Sequence, residues 1–275
     1  MNKLILTLAV ATFLAAISAQ AGYSTGLIVS YAGSAGAMSS TVQDASVLTF
    51  DGMHSANSGH QSNLNWSGVG TIDSVYVRTA NQYGGANNTD YAVQSSSSGL
   101  GDTPKTTLTL NHSSSYFGLW WSAGDAKNVL DFYSGGTGGK LVAQFVTADL
   151  GSLPATYRGN PNTGSNRGAD GNEYFSFLNF FGNGVSWDTV VFSNLGSSGF
   201  ESDNWTSRVA AWGSGPHDSG PLPGVPVIEI NGTTVSTISS VPEPGNFTST
   251  LMIGFIGSLS AGVMALRRSK NQIKA

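Results

Sequence analysis

Cysteine is absent from the 275 residues. Disulfides, thiol nucleophiles and Cys-ligated metals are therefore excluded. Charge is scarce as well, with Asp, Glu, Lys and Arg making up 10% of the chain. Helices short of Glu, Lys and Ala have little local support, so little of the chain favours helix by propensity. Basic residues are the rarest of the charged ones: between residues 22 and 241, seven Lys/Arg face fifteen Asp/Glu, a net charge near −8. Such a surface repels nucleic acid and anionic lipid, and no nucleic-acid partner is expected. Glycine is abundant instead, at 36 residues, alongside Ser, Thr and Asn. Exported β-rich chains with long polar loops have this composition.

The two ends read as targeting segments. Residues 1–21 carry Lys3, an apolar core from Leu4 to Ile17 and the small-residue site Ala19-Gln20-Ala21, the pattern of a signal peptide cleaved after Ala21. Near the other end, Phe247 to Leu266 is an uncharged run of 20 residues. As a helix it spans roughly 30 Å, just enough to cross a bilayer. Arg267, Arg268 and Lys270 follow it, and this basic stop places residues 267–275 in the cytoplasm and the rest outside. Pro242 and Pro244 disfavour helix before them, so Val241 to Pro244 should be extended and accessible at the membrane face.

Pro242-Glu243-Pro244, one membrane helix and an Arg-rich end resemble the PEP-CTERM sorting signal of Gram-negative bacteria. The resemblance implies processing by an exosortase, a membrane protease of the transpeptidase type, with the membrane as a partner through 247–266 until then. Phe117-Gly118-Leu119-Trp120-Trp121-Ser122-Ala123-Gly124-Asp125, Leu130-Asp131-Phe132-Tyr133 and Gly199-Phe200-Glu201-Ser202-Asp203-Asn204 also resemble exosortase-dependent surface proteins, over about Thr106 to Trp212. No enzymatic activity and no catalytic residue follow from that likeness.

Between the ends, short alternating or apolar runs are separated by Gly, Asn and Ser. Strands are expected at Leu27–Tyr31, Ser46–Asp51, Gly70–Thr79, Tyr91–Gln94, Thr106–Asn111, Tyr116–Trp121, Asn128–Tyr133, Lys140–Val146, Glu173–Phe181 and Trp187–Asn194, with a final strand at Ser207–Trp212. Met53 to Asn65 and Tyr157 to Asn172 read as loops. The glycine-rich Ser134 to Gly139 is a hairpin connection rather than a phosphate cradle, because no Gly-Lys-Ser/Thr and no helix follow it. The expected fold class is all-β, a β-sandwich of jelly-roll type. The domain plan is a signal peptide (1–21), an ectodomain (22–215), a Pro/Gly/Ser/Thr-rich spacer with a short edge hairpin around Val227 to Gly232 (216–241), and a sorting and anchor segment (242–275).

Candidate chemistry is sparse. Glu173, Glu201 and Glu229 are the only glutamates between the signal peptide and Glu243, and their spacing does not mark the facing carboxylate pair of a glycosidase. His54, His60, His112 and His217 lack a Gly-x-Ser-x-Gly elbow that would make one of them a triad base. His54 and His60 are not at helical metal-ligand spacing. Asp51, Glu201 and Asp203 form a calcium candidate, since carboxylates at strand ends bind that ion in jelly-roll modules. The bland reading makes Asp51, Asp125 and Asp131 turn residues. Trp66, Tyr83, Tyr157 and Trp205 lie in loop-like contexts where a ring can stack on a sugar.

The expectation is a non-enzymatic, exosortase-sorted protein of the cell surface or extracellular matrix with a structural or adhesive β domain. A carbohydrate-binding, lectin-like module for extracellular polysaccharide is the alternative, and a glycan hydrolase is a third.

Overall fold

A computed structural model describes residues 26–55, 59–80, 83–162, 165–208 and 228. The signal segment with Ala19 and Ala21, Pro242-Glu243-Pro244, the run 247–266 and Arg267, Arg268 and Lys270 lie outside these residues. Among the described residues no helix is long and apolar enough to cross a membrane.

The described chain is all-β. Its strands are β1 (Gly26–Tyr31), β2 (Ala45–Leu48), β3 (His60–Trp66), β4 (Gly70–Arg78), β5 (Tyr91–Gln94), β6 (Lys105–Ser114), β7 (Tyr116–Gly124), β8 (Asn128–Ser134), β9 (Lys140–Val146), β10 (Tyr174–Asn183), β11 (Trp187–Asn194) and β12 (Phe200–Arg208). They form one antiparallel sheet in the order β1-β10-β7-β12-β5-β4-β6-β11-β8-β9, with β2 beside β12 and β3 beside β4. The ends of the path, β1 and β9, come back into contact, so the sheet is nearly closed. Closure leaves little of the unpaired strand edge that invites aggregation.

Aromatic side chains fill the space that the curled sheet encloses. Phe117 on β7 meets Phe132 on β8 at a centroid distance of 6.4 Å, and Phe132 meets Phe180 on β10 at 5.4 Å. Trp121 on β7 meets Phe145 on β9 at 5.5 Å. These contacts join strands far apart in the sheet order, so the curled sheet encloses one shared core. The alternation of β6 follows from that core: Thr106, Leu108 and Leu110 are buried, while Lys105 and Thr109 are exposed.

Strand β7 is buried along its whole length. Its inward residues Phe117, Leu119 and Trp121 belong to the main core, whereas Trp120 packs on the outer side with Met38, Ala86, Phe175 and Phe177. A layer of loops therefore covers the outer face of β10, β7 and β12. That layer makes the functional site described below.

Two expectations need correction. Residues His60 to Trp66, read as loop, form β3; it pairs only with β4 and is polar at most positions because most of it is not buried, so no apolar alternation marks it. The final strand begins at Phe200 rather than Ser207. Asn204 sits at φ +47° where the register with β7 shifts, and this bulge breaks the period-two pattern within the strand. Ile228, in the stretch where an edge hairpin is expected around Val227 to Gly232, is fully buried in the main core and donates its N–H to the Val29 carbonyl at 2.8 Å.

The glycine-rich connection is a turn, as expected. Gly135 and Gly136 adopt φ +85° and +75°, where a side chain would be strained, and their N–H groups donate to the Asp188 carboxylate at 2.7 and 2.9 Å. The anion in this small nest is the chain's own.

Candidate functional site

Strand β12 sets the site. Phe200 points into the main core, and the next side chain, Glu201, therefore points to the outer face. Asp203 shares that outer face, two residues on. Loops cross above them, so both carboxylates are buried, Glu201 at 4% exposure and Asp203 at 0%.

Asp203 is fully engaged. Its Oδ2 accepts the Ala86 N–H at 2.9 Å and the Thr89 hydroxyl at 2.7 Å, and its Oδ1 accepts the Asn204 N–H at 2.6 Å. It fastens the turn at Ala86–Asn88 to the sheet. Burial raises its pKa from 3.8 to about 6, and the charge of Asp51 adds to the rise, outweighing the three donors.

Glu201 differs. It lines a cavity of about 370 Å³ together with Arg78, Tyr83, Asp125, Asp170 and Glu173, and with Ser97, Gly99, Leu100, Ser198 and Gly199. Arg78 ends β4, Asp125 sits in the turn after β7, and Asp170 and Glu173 precede β10. Four carboxylates thus share the space with one guanidinium. The Glu201 peptide N–H favours its ionised carboxyl, but burial outweighs it. Asp170 Oδ2 is also buried without a hydrogen-bond partner. Asp125 is better served, accepting from the Lys127 N–H at 2.8 Å and more weakly from Asn194 Nδ2 at 3.4 Å.

The crowding of acid shows in the titrations. Glu201 is pushed well above 4.5, first by burial and then by the charge of Asp125, with Glu173 adding and Arg78 opposing. Glu173 rises through burial and the charges of Asp170 and Asp125, and Asp170 rises through burial. Gly84 and Gly199 press on Glu201 from two sides. A Cβ at Gly199 would collide with the Glu201 carboxyl, and one at Gly84 would stand 2.9 Å from both Glu201 Cβ and Ser122 Oγ.

The expected site residues are distributed differently. Asp51 lies in an exposed turn, Glu201 faces the cavity and Asp203 holds the Ala86 turn. Among the described residues no group of three or more His, Asp or Glu is placed to hold a metal ion, so these three carboxylates do not assemble the expected calcium site. The stacking role expected of Trp66 and Trp205 is likewise corrected. They are 5% and 0% exposed, members of the main core, because both fall on strands rather than loops. Tyr157 is also buried, its ring edge-on to Tyr31 at 5.1 Å. Tyr83 is 49% exposed and lies on the cavity wall. Asp131 pairs across to Gln144 Nε2 at 2.8 Å on neighbouring strands instead of serving a turn. His54 Nδ1 is within 2.8 Å of the Val77 carbonyl.

Sequence reasoning named Glu173, Glu201 and Asp125 separately but missed that they meet, and missed Arg78 and Asp170 as their company. The missing signal is tertiary, since five separate parts of the chain build the cavity. Compared with family models, curated proteins and solved structures, the chain matches none.

Proposed function

We propose that this is an exported protein, sorted by an exosortase at Pro242-Glu243-Pro244 and placed at the cell surface or in an extracellular matrix, with a structural or adhesive β domain that does not turn over substrate. The nearly closed sheet is, in this reading, a β-sandwich of jelly-roll type. The sorting half rests on the sequence of the two ends: Ala19 and Ala21 at one, and the Pro-Glu-Pro, apolar run and Arg267-Arg268 at the other. The observation that carries the binding half is the acidic cavity, a concave site with buried polar groups converging on it. Among the described residues no histidine lines it.

Tyr83 on the cavity wall favours carbohydrate as the ligand. The hydrolase reading has one observation of its own, Glu173 and Glu201 in the same cavity with raised pKa values. Release of reducing sugar from a polysaccharide that stops in both Glu173→Gln and Glu201→Gln would establish it over the adhesive reading. Sorting is tested by Glu243→Ala: the variant should accumulate as unprocessed, membrane-retained protein, and normal maturation would contradict it.

A further inference from the structure

A carboxylate held out of water needs donors, and the acidic cavity holds a deeply buried glutamate and, among the described residues, a buried aspartate oxygen that lacks them. Glu201 is 4% exposed and lines the cavity, and Asp170 Oδ2 is buried with no partner among the described residues. Burying such groups uncompensated is costly. Both face the same space. We propose that this cavity binds a primary ammonium group carried on a small polar molecule, with Glu201 and Asp170 accepting its N–H bonds and an amino sugar as its source. The ammonium assignment stands on the cavity alone; the amino sugar rests on the surface-protein reading above.

The chemistry of the occupant follows by comparison. Among the described lining residues an anion would meet four carboxylates and only Arg78 in its favour. A bare divalent cation needs several ligands on one point, and no such cluster exists among the described residues. An ammonium carries one positive charge and three N–H donors, which carboxylates spread around a cavity can share. The volume of about 370 Å³ lies in the range of small-molecule sites. Tyr83 offers a ring to the apolar face of a sugar, and Ser97 and Ser198 stand on the same walls to meet hydroxyls.

Protons compete with the ammonium. The groups facing it are Asp125, Asp170, Glu173 and Glu201, with Arg78 and Tyr83 on the walls and Tyr91 within the field of Glu201. Binding draws the buried acids into their ionised form, so it releases protons and strengthens as pH rises through the range in which they titrate.

Isothermal titration calorimetry on the full chain in detergent tests this with glucosamine, N-acetylglucosamine, butylamine and calcium chloride at pH 6.5. Glucosamine should bind at least tenfold more tightly than N-acetylglucosamine, release protons, and lose at least tenfold in affinity in Glu201→Gln and in Asp170→Asn. Asp131→Asn, on β8, should leave it unchanged. Stronger binding of glucosamine than butylamine supports the amino sugar, whereas equal binding supports the ammonium and overturns the sugar as its source. Equal binding of glucosamine and its N-acetylated form, no effect of either carboxylate variant, or calcium binding without amine binding would overturn the proposal. Any of these would leave the sorting reading standing, because that is read from the processed C-terminus.

Discussion

The indole of Trp205 lies flat on the ring of Phe192, centroids 3.9 Å apart and planes 2° from parallel. The two residues belong to β12 and β11, strands that are not neighbours in the sheet, so the contact ties one side of the curl to the other. Phe50 closes the cluster edge-on to Trp205 at 5.1 Å, and Trp205 Nε1 donates to Ser202 Oγ at 2.9 Å.

Trp205→Ala should therefore cost about 3–5 kcal/mol of stability by opening a cavity in the core. Trp205→Phe should cost less. Denaturant unfolding measures both. A loss of sugar binding in Trp205→Ala with stability unchanged would restore the surface-platform role that its burial denies it.

Asp203 makes stability depend on pH. Its pKa rises from 3.8 to about 6 because burial outweighs the Ala86, Thr89 and Asn204 donors. Below pH 4 it is protonated whether folded or unfolded. Between about 4 and 6 the folded chain keeps a proton that the unfolded chain releases, so this stabilisation declines with rising pH and is gone above about 6. The change amounts to about 3 kcal/mol for a shift of some two units. Asp170, Glu173 and Glu201 act in the same direction. Asp203→Asn should flatten the profile relative to the parent chain, seen as unfolding free energies at pH 4 and 7; identical profiles would contradict the assignment.

Asp188 works with the opposite sign. Partial burial pulls its pKa upward but is outweighed by the N–H groups of Gly136 and Gly135 and by the Thr189 hydroxyl, leaving it below its ordinary range. Its contribution is present above pH 3.8 and fades as pH falls through the lowered value. Asp188→Asn should cost about 1 kcal/mol at pH 7 and less below pH 4, a modest figure because the site is largely exposed. Hydrogen exchange at Gly135 and Gly136 should speed up in the variant.

Much of the sheet was legible from the chain alone. The Thr/Leu alternation of Thr106 to Leu110 marked β6, and the dense aromatics of Tyr116 to Trp121 marked a strand buried on both faces. Strand β3 escaped because an outlying strand with little burial can be polar at nearly every position. Strand β12 was misplaced because the bulge at Asn204 breaks its alternation, hiding that Phe200 and Trp205 both face the core. The acidic site was illegible for another reason. Arg78, Asp125, Asp170 and Glu201 come from distant parts of the chain, and only the sheet order brings β4, β7, β10 and β12 within reach of one cavity. A buried Glu also looks the same in sequence as a solvated loop residue.

The sorted-surface account is tested most directly by intact mass spectrometry of the protein recovered from outside the cell. It predicts a chain that begins at Gly22 and ends near Pro242-Glu243-Pro244, without residues 247–266. A recovered mass that retains Met1 and the whole C-terminal run through Ala275 would contradict it.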